Sequence, residues 1–211
     1  LNLIWSPDSK QILALSIPSA QLIDINQQSV NLIASPSATL NQWSQTKTTR
    51  EAQKLSALPL SLQNTLATAA ANLVWSPKEN KVLYTATASA VITTDLIRQL
   101  PGSSTQAQER NLHPGSVYIY DLEEDRNFKV SQIEKQASGL SWFPTSNHLV
   151  KLEQGKVTVL EYDGGNPTVV YMGPMENGYA FPYPSSRQLL ILANLNPIAS
   201  KVANLYALSL R

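Results

Sequence analysis

The sequence predicts an all-β fold of the β-propeller class, four blade-like units with a small helical insertion, and three observations point to it. One phrase is written four times along the 211 residues: LIWSPDSKQIL at 3–13, LVWSPKENKVL at 73–83, LSWFPTSNHLV at 140–150 and, more worn, AFPYPSSRQLL at 180–190. Its prolines, Pro7, Pro77, Pro144 and Pro184, are spaced by 70, 67 and 40 residues, and the last spacing falls within the roughly 40–50 residues of a four-stranded propeller blade. Between these phrases run short apolar segments rich in β-branched residues and bounded by turn residues, the pattern of strands.

The first unit, about 1–34, reads as strands at 3–5, 11–17, 20–25 and 30–34. Each Ser/Phe/Tyr-Pro step starts a turn, because proline presets φ for the first turn position and Asp, Ser or Asn tolerate the next. Trp5, Trp75 and Trp142 hold equivalent places and are expected to wedge between neighbouring sheets; stacking on a carbohydrate or peptide is the alternative. The first excess spacing is an insertion at about 35–72 where strand signals vanish. A capping-type start near Thr48 and a proline at a first helical turn, Pro59, predict two short helices, at 48–55 and 59–71. These need somewhere to bury Leu55, Leu62 and Leu66. They form either a cap lying on the blades or a protruding hairpin that contacts a partner with Trp43 as anchor.

The second unit, about 73–134, contains a further insertion at about 93–115, rich in Gln, Ser, Thr and Arg, with Leu100-Pro101-Gly102 marking a turn. It reads as a long, mobile surface loop. Arg98, Arg110 and His113 lie in it and offer contacts to an acidic ligand. The acidic cluster Asp121-Leu122-Glu123-Glu124-Asp125-Arg126-Asn127 follows a strand at 116–120. It lacks the glycine bend and ligand spacing of a calcium loop, so a hairpin turn carrying solvated charges is expected. The third unit, about 138–174, reads as strands at 140–142, 148–153, 156–162 and 168–172, with Asp163-Gly164-Gly165-Asn166 as a hairpin turn. The fourth, about 178–211, replaces the Trp with Pro182 and supplies three strands, at 180–183, 188–194 and 204–210. One strand is missing, which suggests a strand donated from before Leu1, a larger ring, or a second copy. An open ring would expose apolar sheet faces and invite self-association.

Composition closes off several function classes. Sixteen Lys and Arg balance fifteen Asp and Glu, leaving no electrostatic reason for a nucleic-acid partner. There are no cysteines, hence no thiolate chemistry. No apolar run approaches the roughly 20 residues needed to span a bilayer. Leu1 starts inside a strand-like pattern and reads as a cut end with any signal or anchor upstream. Two histidines, His113 and His148, and the absence of a G-x-S-x-G elbow, a phosphate-binding glycine loop or H-E-x-x-H leave no catalytic constellation. No catalytic residue, metal or cofactor is assigned.

The segments WSPDSKQILAL with LIDI, and WSPKENKVLYTA with VYIYDLEED, resemble the TolB-type, WD-like propeller repeat. The helical LSALPLSLQNTL with ERNLHPG and YDLEEDRNF is also similar to the carboxy-terminal propeller of bacterial PEGA-domain surface proteins, although no PEGA module lies within these residues. The resemblance implies an extracytoplasmic protein of the bacterial cell envelope or surface, anchored upstream. On this reading the chain is a non-catalytic binding or scaffold module. It holds protein or cell-wall partners through its propeller face and insertions, with Trp43, Arg98, Arg110, Tyr171, Tyr179, Phe181 and Tyr183 as the binding candidates. A glycan-binding role for the exposed tyrosines and Phe181 is a third expectation. The rival is a substrate-gating propeller of a prolyl-oligopeptidase-like hydrolase; NLYALSLR at the end, a strand and then a stop, favours the scaffold.

Overall fold

The computed structural model describes residues 2–16, 19–98, 104–132, 139–176, 178–196 and 202–210. The expected turn at 100–102, the last residue of the expected strand 11–17 and the junction at 133–138 lie outside them. The chain divides into two compact units, Leu1–Leu58 and Pro59–Arg211.

In the first unit, β1 (Asn2–Trp5), β2 (Gln11–Leu15), β3 (Ala20–Asp24) and β4 (Ser29–Ile33) form one antiparallel sheet in chain order. Leu13 and Ala20 are buried on one face of this sheet and Ala14 on the other. Alternation puts Leu3 and Trp5 together on one face of β1, and Trp5 is 55% exposed. The expected wedge role fails for Trp5, which is exposed, and the first unit by itself holds one sheet.

Helix α1 (Pro36–Ser56) is longer than expected, starting with Pro36 in its first turn rather than near Thr48. The cause is local. No Gly or Pro occurs between Pro36 and Pro59, so once nucleated the helix has nothing to stop it. It buries none of its residues; Leu55 is only half-buried. Lys47 and Glu51 pair one turn apart at 3.8 Å, and the Arg50 guanidinium donates to the Pro7 carbonyl at 3.0 Å.

The second unit opens with α2 (Leu60–Ala69), which buries Leu62, Leu66 and Ala69 at helical spacing. The expected helix end at residue 71 is corrected: the chain passes straight into β5 (Ala70–Trp75). The register shifts between Ala71 and Val74, with Asn72 at φ 55°, so the first turn of the strand is a bulge that helix-favouring alanines disguise.

Strand β6 (Lys81–Ala86) is followed by a short pair, β7 (Ala90–Val91) with β8 (Asn111–Leu112), and then by β9 (Ser116–Asp121) and β10 (Arg126–Gln132). The second sheet runs β10-β9-β6-β5. The third is β11 (Leu140–Trp142), β12 (His148–Glu153), β13 (Lys156–Glu161) and β14 (Thr168–Met172), and the fourth is β15 (Ala180–Pro182), β16 (Gln188–Ala193) and β17 (Asn204–Ser209). All are antiparallel, and the fold is all-β, built of propeller-type sheets.

The recurring phrase is one hairpin built four times. Amides of Ser9, Glu79, Ser146 and Ser186 donate to carbonyls of Ser6, Ser76, Phe143 and Tyr183 at 2.8–3.0 Å, with the proline at the first turn position. Those four residues sit at φ 58°, 59°, 64° and 59°, each two past its proline. Amides of Ser6, Ser76, Phe143 and Tyr183 then donate to Gln11, Lys81, His148 and Gln188, closing the hairpin. Finally the carbonyls of Lys10, Asn80, Asn147 and Arg187 accept from Ile25, Leu122, Tyr162 and Leu210, tying each turn to the end of its third strand.

Within the second unit consecutive sheets pack face to face. Leu83, Val117, Ile119, Leu149 and Leu160 form the core between the second and third sheets, with Trp142 and Tyr162 against it. Trp142 does act as a wedge there, its indole Nε1 donating to the Val74 carbonyl at 3.2 Å, while Trp75 is half-buried. Phe143, Val150, Val157, Ala180, Leu189, Ile191 and Ala193 form the core between the third and fourth. Adjacent residues Leu149 and Val150 of β12 point into different cores, which is why this strand reads as apolar on both faces. Leu149→Ala is expected to destabilise the second unit by about 2–5 kcal/mol, seen as a lower urea midpoint with unchanged slope; a shift of under about 0.5 kcal/mol contradicts this packing.

Candidate partner-binding site

Ala180 and Ile191 face the third sheet and are buried, so the opposite side of the fourth sheet is set by period two. Tyr179, Phe181 and Tyr183 stand at alternate positions on that outer side and are 47%, 50% and 44% exposed. The rings of Tyr179 and Phe181 lie 5.7 Å apart at 49°. Register extends the face: Phe181 lies opposite Leu190 and Leu190 opposite Ala207, while Leu192, whose amide donates to the Tyr179 carbonyl at 3.0 Å, lies opposite Leu205. Leu205 is 64% exposed. The result is an aromatic row backed by aliphatic side chains, on a sheet whose other side is core.

A second constellation is polar and buried. Asp125, at φ 51° in the β9–β10 turn and fully buried, accepts from the Tyr120 hydroxyl and from the Leu96 amide at 3.2 Å, and pairs with Arg110 at 3.4 Å. The Arg110 guanidinium also donates to the Asp125 carbonyl. Asp121 pairs with buried Lys81 at 3.2 Å, whose ammonium lies 4.5 Å from the centre of the Tyr162 ring. The Tyr84 hydroxyl donates to Asn127 at 2.8 Å, and Asn127 in turn donates to the Glu109 carbonyl at 2.6 Å. Burial pushes the Tyr84, Tyr120 and Tyr162 hydroxyls well above the ordinary tyrosine range; the Asp125 carboxylate adds to this at Tyr120 and the Asp121 charge at Tyr162.

These contacts correct two expectations. The acidic run is a hairpin turn between third and fourth strands, but of its charges only Glu123 is exposed: Asp121, Glu124 and Asp125 are buried. The insertion preceding it is not a free surface loop either. Within the described residues of 93–115, Asn111 and Leu112 form β8, which pairs with β7 before the insertion, Leu112 is buried, and Arg126 donates to the Ser104 carbonyl at 2.7 Å. Insertion and turn hold each other from both sides: Arg110 of the insertion pairs with Asp125, and Arg126 at the end of the turn donates to the Ser104 carbonyl.

The structure brings together three of the seven binding candidates, Tyr179, Phe181 and Tyr183. Arg110 is corrected, since Asp125 occupies its guanidinium. Tyr171 is corrected too: it sits on β14, packs against the core and donates its hydroxyl to the Pro174 carbonyl at 2.7 Å. Arg98 is exposed in the insertion and Trp43 is half-buried on α1. Leu190, Leu192 and Leu205 had escaped attention, although the run QLLILA at 188–193, apolar at both parities, carries the signal. Among the described residues, no group of three or more His, Asp and Glu side chains is placed to hold a metal.

No protein-family model matches the chain, and no curated protein matches it. Among solved structures it is similar to TolB from Acinetobacter baumannii, at 10% identity and a TM-score of 0.39 over 98% of this chain and 40% of that one. It is similar also to a eukaryotic initiation factor, at 12% identity and 0.42 over 100% of this chain and 40% of that one. The nidogen/laminin complex gives 10% identity and 0.32 over 90% and 55%. The chain thus spans about two fifths of the length of the first two. Likenesses at these scores are weak, and the propeller class rests on the repeated four-stranded sheets themselves.

Two outcomes follow from the buried network. Arg110→Ala leaves the Asp125 carboxylate buried without its guanidinium and is expected to cost about 3–5 kcal/mol, measured by urea unfolding; a change near zero would mean the pair contributes nothing. As pH rises above about 10, stability should fall, because unfolded tyrosines ionise there while Tyr84, Tyr120 and Tyr162 keep their protons in the fold. Unfolding followed between about pH 8 and about pH 11 checks this, with Tyr84→Phe flattening the decline.

Proposed function

We propose that the chain is a non-catalytic binding module of a bacterial cell-envelope or surface protein, acting outside the cytoplasm and engaging a protein or cell-wall partner through the outer face of its fourth sheet. The observation that supports this is the row Tyr179, Phe181, Tyr183, roughly half exposed along one side of a sheet whose other side is core. Aromatic side chains bring large contact area at small conformational-entropy loss and dominate interface energetics. The carboxylates that the sequence offers most densely, Asp121 and Asp125, are paired with Lys81, Arg110 and Tyr120.

The experiment compares wild type with the double variant Phe181→Ser, Tyr183→Ser, immobilised and challenged with bacterial envelope proteins and, separately, with purified peptidoglycan. Loss of at least about tenfold in specific capture is expected, the scale of a lost hot spot. Equal capture by variant and wild type would remove this face from the binding site. Cleavage of the native protein by protease added to intact cells tests the extracytoplasmic placement.

A further inference from the structure

The hairpin turns that follow the third strands differ from sheet to sheet. In the first sheet Asn26, Gln27 and Gln28 are exposed, as turn tips usually are. In the second and third sheets Glu124, Asp125, Asp163 and Gly165 are buried. One stretch of the insertion, residues 104–112, reaches both of these turns.

On the side of the second sheet, Arg126 at the start of β10 donates to the Ser104 and Gln106 carbonyls at 2.7 and 2.5 Å, and its guanidinium lies 3.5 Å from the Glu124 carboxylate. The Glu109 amide donates to the Asn127 carbonyl at 2.7 Å, and the Asn127 side chain donates back to the Glu109 carbonyl at 2.6 Å. On the side of the third sheet, the Ser104 hydroxyl donates to the Asp163 carboxylate at 2.6 Å. Gln106 lies so close to Gly165 that a Cβ there would stand 3.1 Å from its Nε2.

Asp163 breaks the pattern of the other turns. In the first two sheets the last residue of the third strand, Asp24 or Asp121, accepts from amides of its own turn and holds the side chain of Gln11 or Lys81, both in its own sheet. Register puts Glu161 at that position in the third sheet. Asp163 stands two residues further on. One of its oxygens accepts from the Gly165 amide at 2.8 Å, and the other leaves the sheet for Ser104. Among the described residues from Ser104 to Asn111 none is buried, so polar bonds rather than apolar area hold this stretch down.

We propose that residues 104–112 are a clamp that fastens the turn of the second sheet to the turn of the third, with the Asp163 carboxylate as its latch, and that clamp and turns open as one unit while the sheets stay folded. This device is independent of the binding face. A segment held by polar bonds opens without uncovering much surface, so its opening depends little on urea, whereas opening of the sheets depends on it steeply.

The test is native-state amide exchange of the isotopically labelled 211-residue chain at low urea concentrations. Glu109 reports on the clamp, Gly165 on the third sheet's turn, and Val150 on β12, which is paired on both sides. Equal opening free energies are expected at Glu109 and Gly165, with little urea dependence, and a steep dependence at Val150. Ser104→Ala should speed exchange at both Glu109 and Gly165 about tenfold, the scale of a hydrogen bond to a charged group, and leave Val150 unchanged. Ser104→Thr keeps the hydroxyl and should restore slow exchange. Arg126→Gln, a change in the second sheet, should speed Gly165 in the third; should that variant fail to fold, Arg126→Lys, which loses the planar fork, serves the same comparison.

Faster exchange at Gly165 alone in Ser104→Ala, or an unmoved Gly165 in the Arg126 variant, would overturn the proposal, since clamp and turn would then open independently. Equal acceleration at Val150 would overturn it too, because the stretch would then open only with the sheets.

Discussion

Everything in this chain hangs on a hairpin turn whose closing bond comes three residues after it opens and whose last residue must take a left-handed backbone. Ser9, Glu79, Ser146 and Ser186 accept that conformation without being glycine. Single non-glycine residues bear it at a cost of order 1 kcal/mol, offset here by the hydrogen bonds that surround it. In the first two copies the serine preceding the proline also accepts from the second strand, at 2.9 Å to Gln11 and 3.1 Å to Lys81. Proline restricts the unfolded chain at the same place. The turn thereby fixes the register of the first two strands, and with register the face each side chain takes, since a slip of one residue would invert every face.

Once faces are fixed, burial follows from how many sheets stand beside each strand. In the second unit the third sheet has neighbours on both sides, and its central strand is apolar at both parities: Leu149 enters one core and Val150 the other. The fourth sheet has the same double apolarity in β16, yet only one of its faces is core. An aromatic row is therefore left in solvent by the geometry of stacking, not by any polarity written at those positions.

The buried charges obey a different logic. Removing a carboxylate from water is expensive unless a cation and further donors meet it. Asp125 has Arg110, Tyr120 and the Leu96 amide, and Asp121 has Lys81 and two amides of its own turn at 2.8 and 3.1 Å. The insertion between β6 and β9 would otherwise be a long excursion with little to hold it. Its Arg110 reaches fifteen residues forward in the chain to find its partner, and this closure ties the described residues on either side of Arg110 to the turn.

Local chemistry made much of this protein legible in the string of residues: the four turns, most strand limits to within one or two residues, the three-stranded last unit and the hairpin at the acidic run. Proline, turn formers and alternation act over a few neighbours, so they can be read without knowing the fold. What needed the folded chain was every quantity that depends on distant partners. Asp121 and Asp125 proved buried because Lys81 and Arg110 arrive from 40 and 15 residues away. Trp5 and Trp142 share a motif but not an environment: Trp5 is exposed, while Trp142 packs against the core between two sheets. Tyr171 and Tyr179 look alike as letters, yet one packs against core and the other faces water. Burial and pairing are sums over space rather than sequence, and only the arrangement of sheets supplies the terms.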